Sequence, residues 1–321
     1  MHPESSRISR VVLACSAAFV LAACGGGDDR EPTGTLKLGI TDAPVDAADA
    51  VVVQFSGVEL KPKGGEPFSI DFVDSTGQSL SKQVDLYLLS GTKRELLLEG
   101  EEIPAGEYEW MRLKVDADPT VVDSYIEIGG GQCELRVPSG DETGLKINRG
   151  FTVGVGAITD LTIDFDLRKS IVEPPGQQSE PEVCDGQEYL LKPVLRVVDN
   201  LEIGTITGKV DPLPDGCDSS AVYPGNVYLF GPYTDVEPAV DDYDGVDDAV
   251  TWAMVDPTTF EYTIGFVPAG KYVIAYTCSP DSTQVDADTD VSEEVTFVPD
   301  AGVQVELAPG ETKLVDFPPA P

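Results

Sequence analysis

The densest run of residues able to ligate a metal is Asp241-Asp242-Tyr243-Asp244-Gly245-Val246-Asp247-Asp248. Set against a Ca²⁺-binding EF-hand loop with Gly245 at the sixth position, Asp242 and Asp244 occupy the third and fifth. Val240 then takes the first position and Thr251 the twelfth, where a bidentate glutamate is required, so the match fails. Asp286, Asp288 and Asp290 keep the alternate spacing but carry Val291 where glycine must turn the chain. Weak Ca²⁺ binding at these acidic loops is the most metal chemistry the sequence supports. No cofactor is expected, and solvated loops are the simpler reading. Asp164 and Asp166 stand two apart, so a strand would place both on one face, as a carboxylate pair for glycoside hydrolysis would need. Arg168 and Lys169 follow directly, and an ion-paired strand end is the expectation instead.

Aromatic residues supply the third candidate chemistry. Tyr272 and Tyr276 alternate onto one face about Ile274, and with Trp252 they would offer a platform for a sugar ring. Core or cross-strand packing is the competing role for such residues. Trp110 and Arg112 share one strand face, leaving Met111, Leu113 and Val115 as the buried set. The only histidine is His2, inside the segment that reads as a cleaved export signal, so the mature chain is expected to have none. Ser-His-Asp and Cys-His arrangements, histidine-ligated zinc and imidazole acid–base work therefore have no residue to perform them. An enzyme is not expected.

Residues 1–23 have the parts of a secretory signal: Arg7 and Arg10, then the apolar run Val11 to Leu21, then small residues. The run is shorter than the roughly 20 residues that span a bilayer. Leu21-Ala22-Ala23-Cys24 resembles the lipobox of bacterial lipoproteins. That resemblance implies that Cys24 becomes the N-terminus and carries acyl chains such as palmitate, which hold a protein to a membrane firmly when there is more than one. It also implies, with Gly25 in the following position, sorting to the outer membrane. Residues 24–33 read as a flexible, acidic tether.

The chain has 321 residues and a formal charge of −36. Residues 1–23 hold Arg7, Arg10 and Glu4, so the charge without them is −37. From Thr205 onward there are 22 acids against only Lys209, Lys271 and Lys313. Such a field repels phosphate backbones, so nucleic acid is not an expected partner. Of the six cysteines, Cys15 precedes the lipobox and Cys24 is its lipid acceptor. Cys133, Cys184, Cys217 and Cys278 remain for disulfides in an oxidising compartment. Of the three connectivities, Cys133–Cys184 with Cys217–Cys278 is the simplest if a domain boundary falls near residue 203. No C-x-x-C pair supports a zinc site instead.

Short runs of period-two alternation, punctuated by Gly, Pro, Asp and Asn, predict an all-β protein. Two antiparallel β-sandwich domains are expected, over residues 34–199 and 205–317, joined through Asp199 to Gly204. Leu190 to Val198 reads as one strand, with Pro193 marking an edge or a bulge. Val84 to Leu89 is too short for periodicity to separate strand from helical turn. Ile103-Pro104-Ala105-Gly106-Glu107-Tyr108 returns as Val267-Pro268-Ala269-Gly270-Lys271-Tyr272. Both read as tight hairpin turns, with Pro fixing φ and Gly accepting φ > 0.

Several segments together resemble the domain of unknown function 4382 family, a family of bacterial exported lipoproteins. They are Gly34 to Leu60, Pro104-Ala105-Gly106, Val137-Pro138-Ser139-Gly140 with Thr143-Gly144-Leu145-Lys146, Asp164 to Ser170, and Leu190-Leu191-Lys192-Pro193-Val194. Residues 205–317 are similar, more loosely, to the carboxypeptidase-regulatory-like (prealbumin-like) sandwich, a relative of starch-binding folds, through Gly208-Lys209-Val210 and the second Pro-Ala-Gly turn. Together these imply a non-enzymatic envelope lipoprotein that acts as a binding or structural accessory module. The expected partners are the membrane through the N-terminal lipid, and polysaccharide or envelope proteins. A carbohydrate-binding surface lipoprotein and a Ca²⁺-dependent adhesin are the alternatives.

Overall fold

The computed structural model describes residues 31–43, 48–115, 122–137, 144–172, 188–214, 217, 224–233, 249–278 and 297–318. Alternating apolar residues form strands throughout. In chain order these begin with β1 (Thr33–Ala43), β2 (Ala50–Pro62), β3 (Phe68–Asp71), β4 (Lys82–Asp85), β5 (Glu95–Pro104), β6 (Gly106–Val115) and β7 (Tyr125–Ile128). They continue with β8 (Gly131–Arg136), β9 (Leu145–Ile147), β10 (Phe151–Val153), β11 (Ile158–Asp166), one helical turn α1 (Leu167–Ser170), β12 (Ile171–Val172), β13 (Glu188–Leu191) and β14 (Leu195–Asp199). The rest are β15 (Ile203–Lys209), β16 (Asn226–Tyr233), β17 (Thr251–Met254), β18 (Glu261–Pro268), β19 (Gly270–Thr277), β20 (Val298–Leu307) and β21 (Thr312–Leu314). The protein is all-β, arranged as sandwich-like layers.

The first sandwich pairs a four-stranded sheet, β14-β11-β1-β5, with a ten-stranded one, β10-β6-β2-β7-β8-β13-β12, to which β3 and β4 add on β2 and β9 on β6. The second pairs β18-β15-β21 with β17-β16-β19-β20. One apolar cluster runs from Leu36 to Val197, and two others lie between Ile206 and Phe317. Strand β2 shows how sequence sets this packing. Val51, Val53 and Phe55 are buried, then the phase shifts to Val58 and Leu60. The register against β6 slips between Phe55 and Gly57, a bulge that keeps both halves facing the core. Val84 to Leu89 divides: β4 ends at Asp85, whose carboxylate accepts from the Tyr87 N–H at 3.2 Å to start a 3₁₀ turn over Leu86–Leu88.

Two expectations are corrected. Leu190 to Val198 is two strands: β13 lies in the ten-stranded sheet and β14 in the four-stranded one. Pro193 stands where the chain crosses between the layers, because it has no N–H to continue a ladder. The Pro-Ala-Gly phrases are corners and not hairpins. Strand β5 enters the first from one sheet and β6 leaves it in the other, and β18 and β19 do the same at the second. Gly106 has φ +148°, whereas Gly270 does not adopt a positive φ.

The corners share one set of hydrogen bonds. The Tyr108 hydroxyl donates to the Pro104 carbonyl at 2.7 Å, and Tyr272 to Pro268 at 2.8 Å. The Ala105 N–H donates to Pro32 and the Ala269 N–H to Glu202, each acceptor lying just before the strand that opens its sandwich. The likeness extends outward register for register. Gly34 opposes Ile103 as Gly204 opposes Val267; Thr35 aligns with Ile158 as Thr205 with Thr312; Gly106 opposes Val153 as Gly270 opposes Leu307. Five strands of the first sandwich therefore recur in the second with the same pairing and the same corner.

Candidate functional site

The structure gives each nominated acid and aromatic residue among the described residues a packing role. Tyr272, Tyr276 and Trp252 are buried, at 2%, 0% and 4% exposure, so of the two roles open to them, sugar platform and core packing, they have the second. Tyr276 donates to the Pro224 carbonyl, and burial pushes its hydroxyl up to about 12. Cys217 and Cys278 are bonded, with Cα atoms 5.7 Å apart. Cys133 is buried and disulfide-bonded. Cys24, Cys184, Asp241 to Asp248 and Asp286 to Asp290 lie outside the described residues.

Asp164 and Asp166 do separate jobs. Asp164 faces Arg196 across the β11–β14 pair and accepts from its Nε at 3.1 Å and from its Nη2. Burial pushes the Asp164 carboxyl above the usual carboxylate range, against the pull of the Arg196 charge. Asp166 accepts from the Lys169 N–H at 3.2 Å, capping α1. The expected ion-paired strand end is present at Asp166, which pairs with Lys169, while Asp164 pairs with Arg196 of the neighbouring strand. Arg168 reaches the second sandwich. Its guanidinium lies 5.2 Å from the Trp252 ring and 5.8 Å from that of Tyr228, and donates to the Tyr228 hydroxyl at 3.0 Å. The Lys169 ammonium donates to the Ala249 carbonyl at 3.2 Å and sits 3.4 Å from Asp166. These charges join the two sandwiches, and a neighbouring cavity of about 230 Å³ is lined by Asp164, Asp166, Lys169, Arg196 and Ala249 among others.

A second, larger concavity of about 640 Å³ has a different character. Its floor is aliphatic, with Val194 and Pro193 exposed and Val172 part-exposed over the buried Leu145, Leu191 and Val137. Its wall carries Arg112, Lys146, Lys169 and Lys192 in a chain whose net charge is −36. Arg112 projects outward from β6 because Met111 and Leu113 take the core face. Glu59, its register partner on β2, accepts from its Nη1 at 2.6 Å. On the other side of β6, Lys146 of β9 stands directly opposite Arg112. Like charges opposed across a strand pair disfavour folding. Glu59 offsets one charge, and the Trp110 ring takes both cations, Arg112 at 5.0 Å and Lys146 at 4.5 Å from its centroid. Gly144 has φ +51° and passes so near β6 that a Cβ would lie 2.4 Å from the Leu113 carbonyl, which holds β9 in this position.

Lys192 is exposed at the layer crossing, beside Pro193. Among the described residues no carboxylate pairs with Lys146 or Lys192, whereas Arg112 has Glu59 and Lys169 has Asp166. The groove lies between the ends of one sheet. Among the described residues, strand β9 pairs only with β6, and β12, the last strand of the ten-stranded sheet, only with β13. Sequence reasoning placed Arg112 beside Trp110 but did not connect it with Lys146 and Lys192. The available signal was that both lysines sit in segments singled out for their family resemblance, in a chain poor in cations.

The model of the family described as "Domain of unknown function (DUF4382)" matches residues 33–193, half of the 321-residue chain. This chain belongs to the DUF4382 family. The groove falls within or at the margin of the DUF4382 match, since Val194 is the residue after its end. No curated protein matches. Among solved structures, the Bacillus anthracis TIE protein is 11% identical with a TM-score of 0.20, covering 89% of this chain; the chain spans only 33% of that protein. GBS52, the minor pilin of Streptococcus agalactiae, is 10% identical, covers 89% of this chain and 97% of its own, and has a TM-score of 0.20. A putative cell adhesion protein from Parabacteroides distasonis is 11% identical, covers 91% and 96%, and has a TM-score of 0.20. Likeness at this level assigns no ligand and no activity.

Proposed function

We propose that this DUF4382 protein is a non-enzymatic binding module of the bacterial cell envelope, anchored through a lipid on Cys24 and sorted to the outer membrane. The observation that carries the binding role is the pair Lys146 and Lys192. Two ammonium groups without a carboxylate partner among the described residues stand at the rim of an aliphatic groove, in a protein with acids to spare. One of them is held opposite another cation. Cations kept in opposition where no carboxylate pairs them are a local conflict of the kind found at functional sites. The non-enzymatic reading is supported by Asp164 and Asp166, whose lone pairs are engaged by Arg196, α1 and Lys169. The anchor is supported by Leu21-Ala22-Ala23-Cys24. The second sandwich, in its resemblance to the prealbumin-like fold, serves in this reading as a rigid support docked through Arg168.

The test is a thermal-shift screen of anionic compounds against the full chain and its Lys146→Gln/Lys192→Gln variant. A ligand that binds only the folded state raises the melting temperature. A rise that needs both lysines is expected. A rise that survives in the variant, or turnover abolished by changing Asp164 or Asp166, would contradict the reading. For the anchor, Cys24→Ser is expected to move the protein from the membrane fraction to the soluble one.

A further inference from the structure

We infer that the groove of the first sandwich takes an amphipathic anion, a single acid group carried on an aliphatic body; this rests on the binding role proposed above. Volume gives the size class. At about 640 Å³ the groove falls in the range of pockets that hold whole small molecules. Its floor gives the body of the ligand. Val194, Pro193 and the part-exposed Val172 present the accessible aliphatic surface, with Leu145 and Leu191 buried beneath it, and among the described residues no aromatic ring lines the groove. A sugar ring is gripped by stacking on aromatic faces; the nearby Trp110 ring has Arg112 and Lys146 over it.

The rim gives the head group. Lys146 and Lys192 are ammonium groups, compact charges that accept carboxylate, phosphate or sulfate without the planar fork that a guanidinium imposes. Arg112, the one guanidinium among the described lining residues, is already committed to Glu59 at 2.6 Å. Charge alone would not hold the ligand, because an anion approaching a chain of net charge −36 meets a repulsive field beyond the groove. Burial of an aliphatic body, at roughly 25 cal/mol per Å² of apolar surface, supplies what the long-range field opposes. Head and body are therefore both required.

The probes are dodecanoate and dodecyl phosphate, which separate a fatty-acid source from a phosphate head group, with dodecanol, acetate, inorganic phosphate and a glutamate-rich peptide as comparisons. Each is titrated calorimetrically, below its micelle concentration, into the Cys24→Ser chain purified without detergent, so that no attached acyl chain competes. The expectation is one site per chain for either or both dodecyl anions, with dodecanol and the short anions at least about tenfold weaker. Lys146→Gln/Lys192→Gln is expected to lose about tenfold or more, while Lys209→Gln/Lys313→Gln on the second sandwich changes nothing. Dodecanol binding as tightly as dodecanoate would overturn the inference. So would inorganic phosphate or the acidic peptide binding through the two lysines while the dodecyl anions do not, an outcome that leaves the binding role standing. Absence of lysine-dependent binding by any anion would overturn both.

Discussion

Asp160 and Asp164 lie on the same strand and carry opposite linkage to pH. Burial alone would raise the Asp160 carboxyl, but hydrogen bonds from Arg94 and Asn200 and the Arg94 charge outweigh it and hold the group below its ordinary value. Arg94 makes two contacts to it, at 2.7 and 3.1 Å. A carboxyl lowered in the folded state adds stability above its unfolded value and loses it as pH falls through the folded one. Asp160→Asn is therefore expected to flatten the acid-side fall in urea midpoint between neutral pH and about pH 3, the range in which carboxylates titrate. Asp164 is raised, so its ionisation opposes folding at neutral pH, and protonation as pH falls relieves that cost. Removing it is nonetheless damaging, because the part-buried Arg196 would lose its partner. Asp164→Asn is expected to cost about 3 kcal/mol in urea unfolding at neutral pH. Asp164→Leu/Arg196→Met, which removes both charges, is expected to recover most of that loss.

At the scale of elements, the corner is the unit that both sandwiches repeat. Tyr108→Phe and Tyr272→Phe each delete one hydroxyl that bonds the Pro carbonyl four residues back. Each is expected to cost about 1 kcal/mol in unfolding free energy, with the double variant near the sum because the two tyrosines belong to separate cores. Much of this architecture was legible in the sequence. Alternation located the strands, and the repeated Pro-Ala-Gly-x-Tyr phrase marked the corners. Whether a tight turn joins two strands of one sheet or carries the chain between sheets is not written locally; it depends on what each strand pairs with elsewhere. The same limit made Leu190 to Val198 look continuous, and left Tyr272 and Tyr276 open between a surface platform and the core that the second layer makes them. The groove was the least legible feature. Arg112, Lys146 and Lys192 are far apart in sequence, and only the β6–β9 pairing and the layer crossing at Pro193 bring them together.

At the scale of the whole molecule, cross-linking and charge act on different parts. Cys217 and Cys278 close a loop with a sequence separation of 61, for which chain entropy predicts roughly 4 kcal/mol of stabilisation. Cys217→Ala/Cys278→Ala is expected to lower the melting temperature of the second sandwich, followed through Trp252, without changing anion binding at the groove. In a chain of net charge −36, the proposed binding role makes the groove lysines dispensable for the fold. Lys146→Gln isolates that claim, because its effects on stability nearly cancel: relief of repulsion from Arg112 gives about 0.2–1 kcal/mol, and loss of the contact with Trp110 costs about 0.5–1 kcal/mol. The decisive measurement is urea unfolding of the Cys24→Ser chain and of its Lys146→Gln form, each with and without dodecanoate. Baselines within about 0.5 kcal/mol of each other are predicted, with a ligand-induced rise in the parent that is reduced or lost in the variant. A variant destabilised by more than about 1 kcal/mol, yet raised by dodecanoate as much as the parent, would make Lys146 a structural residue and contradict the account.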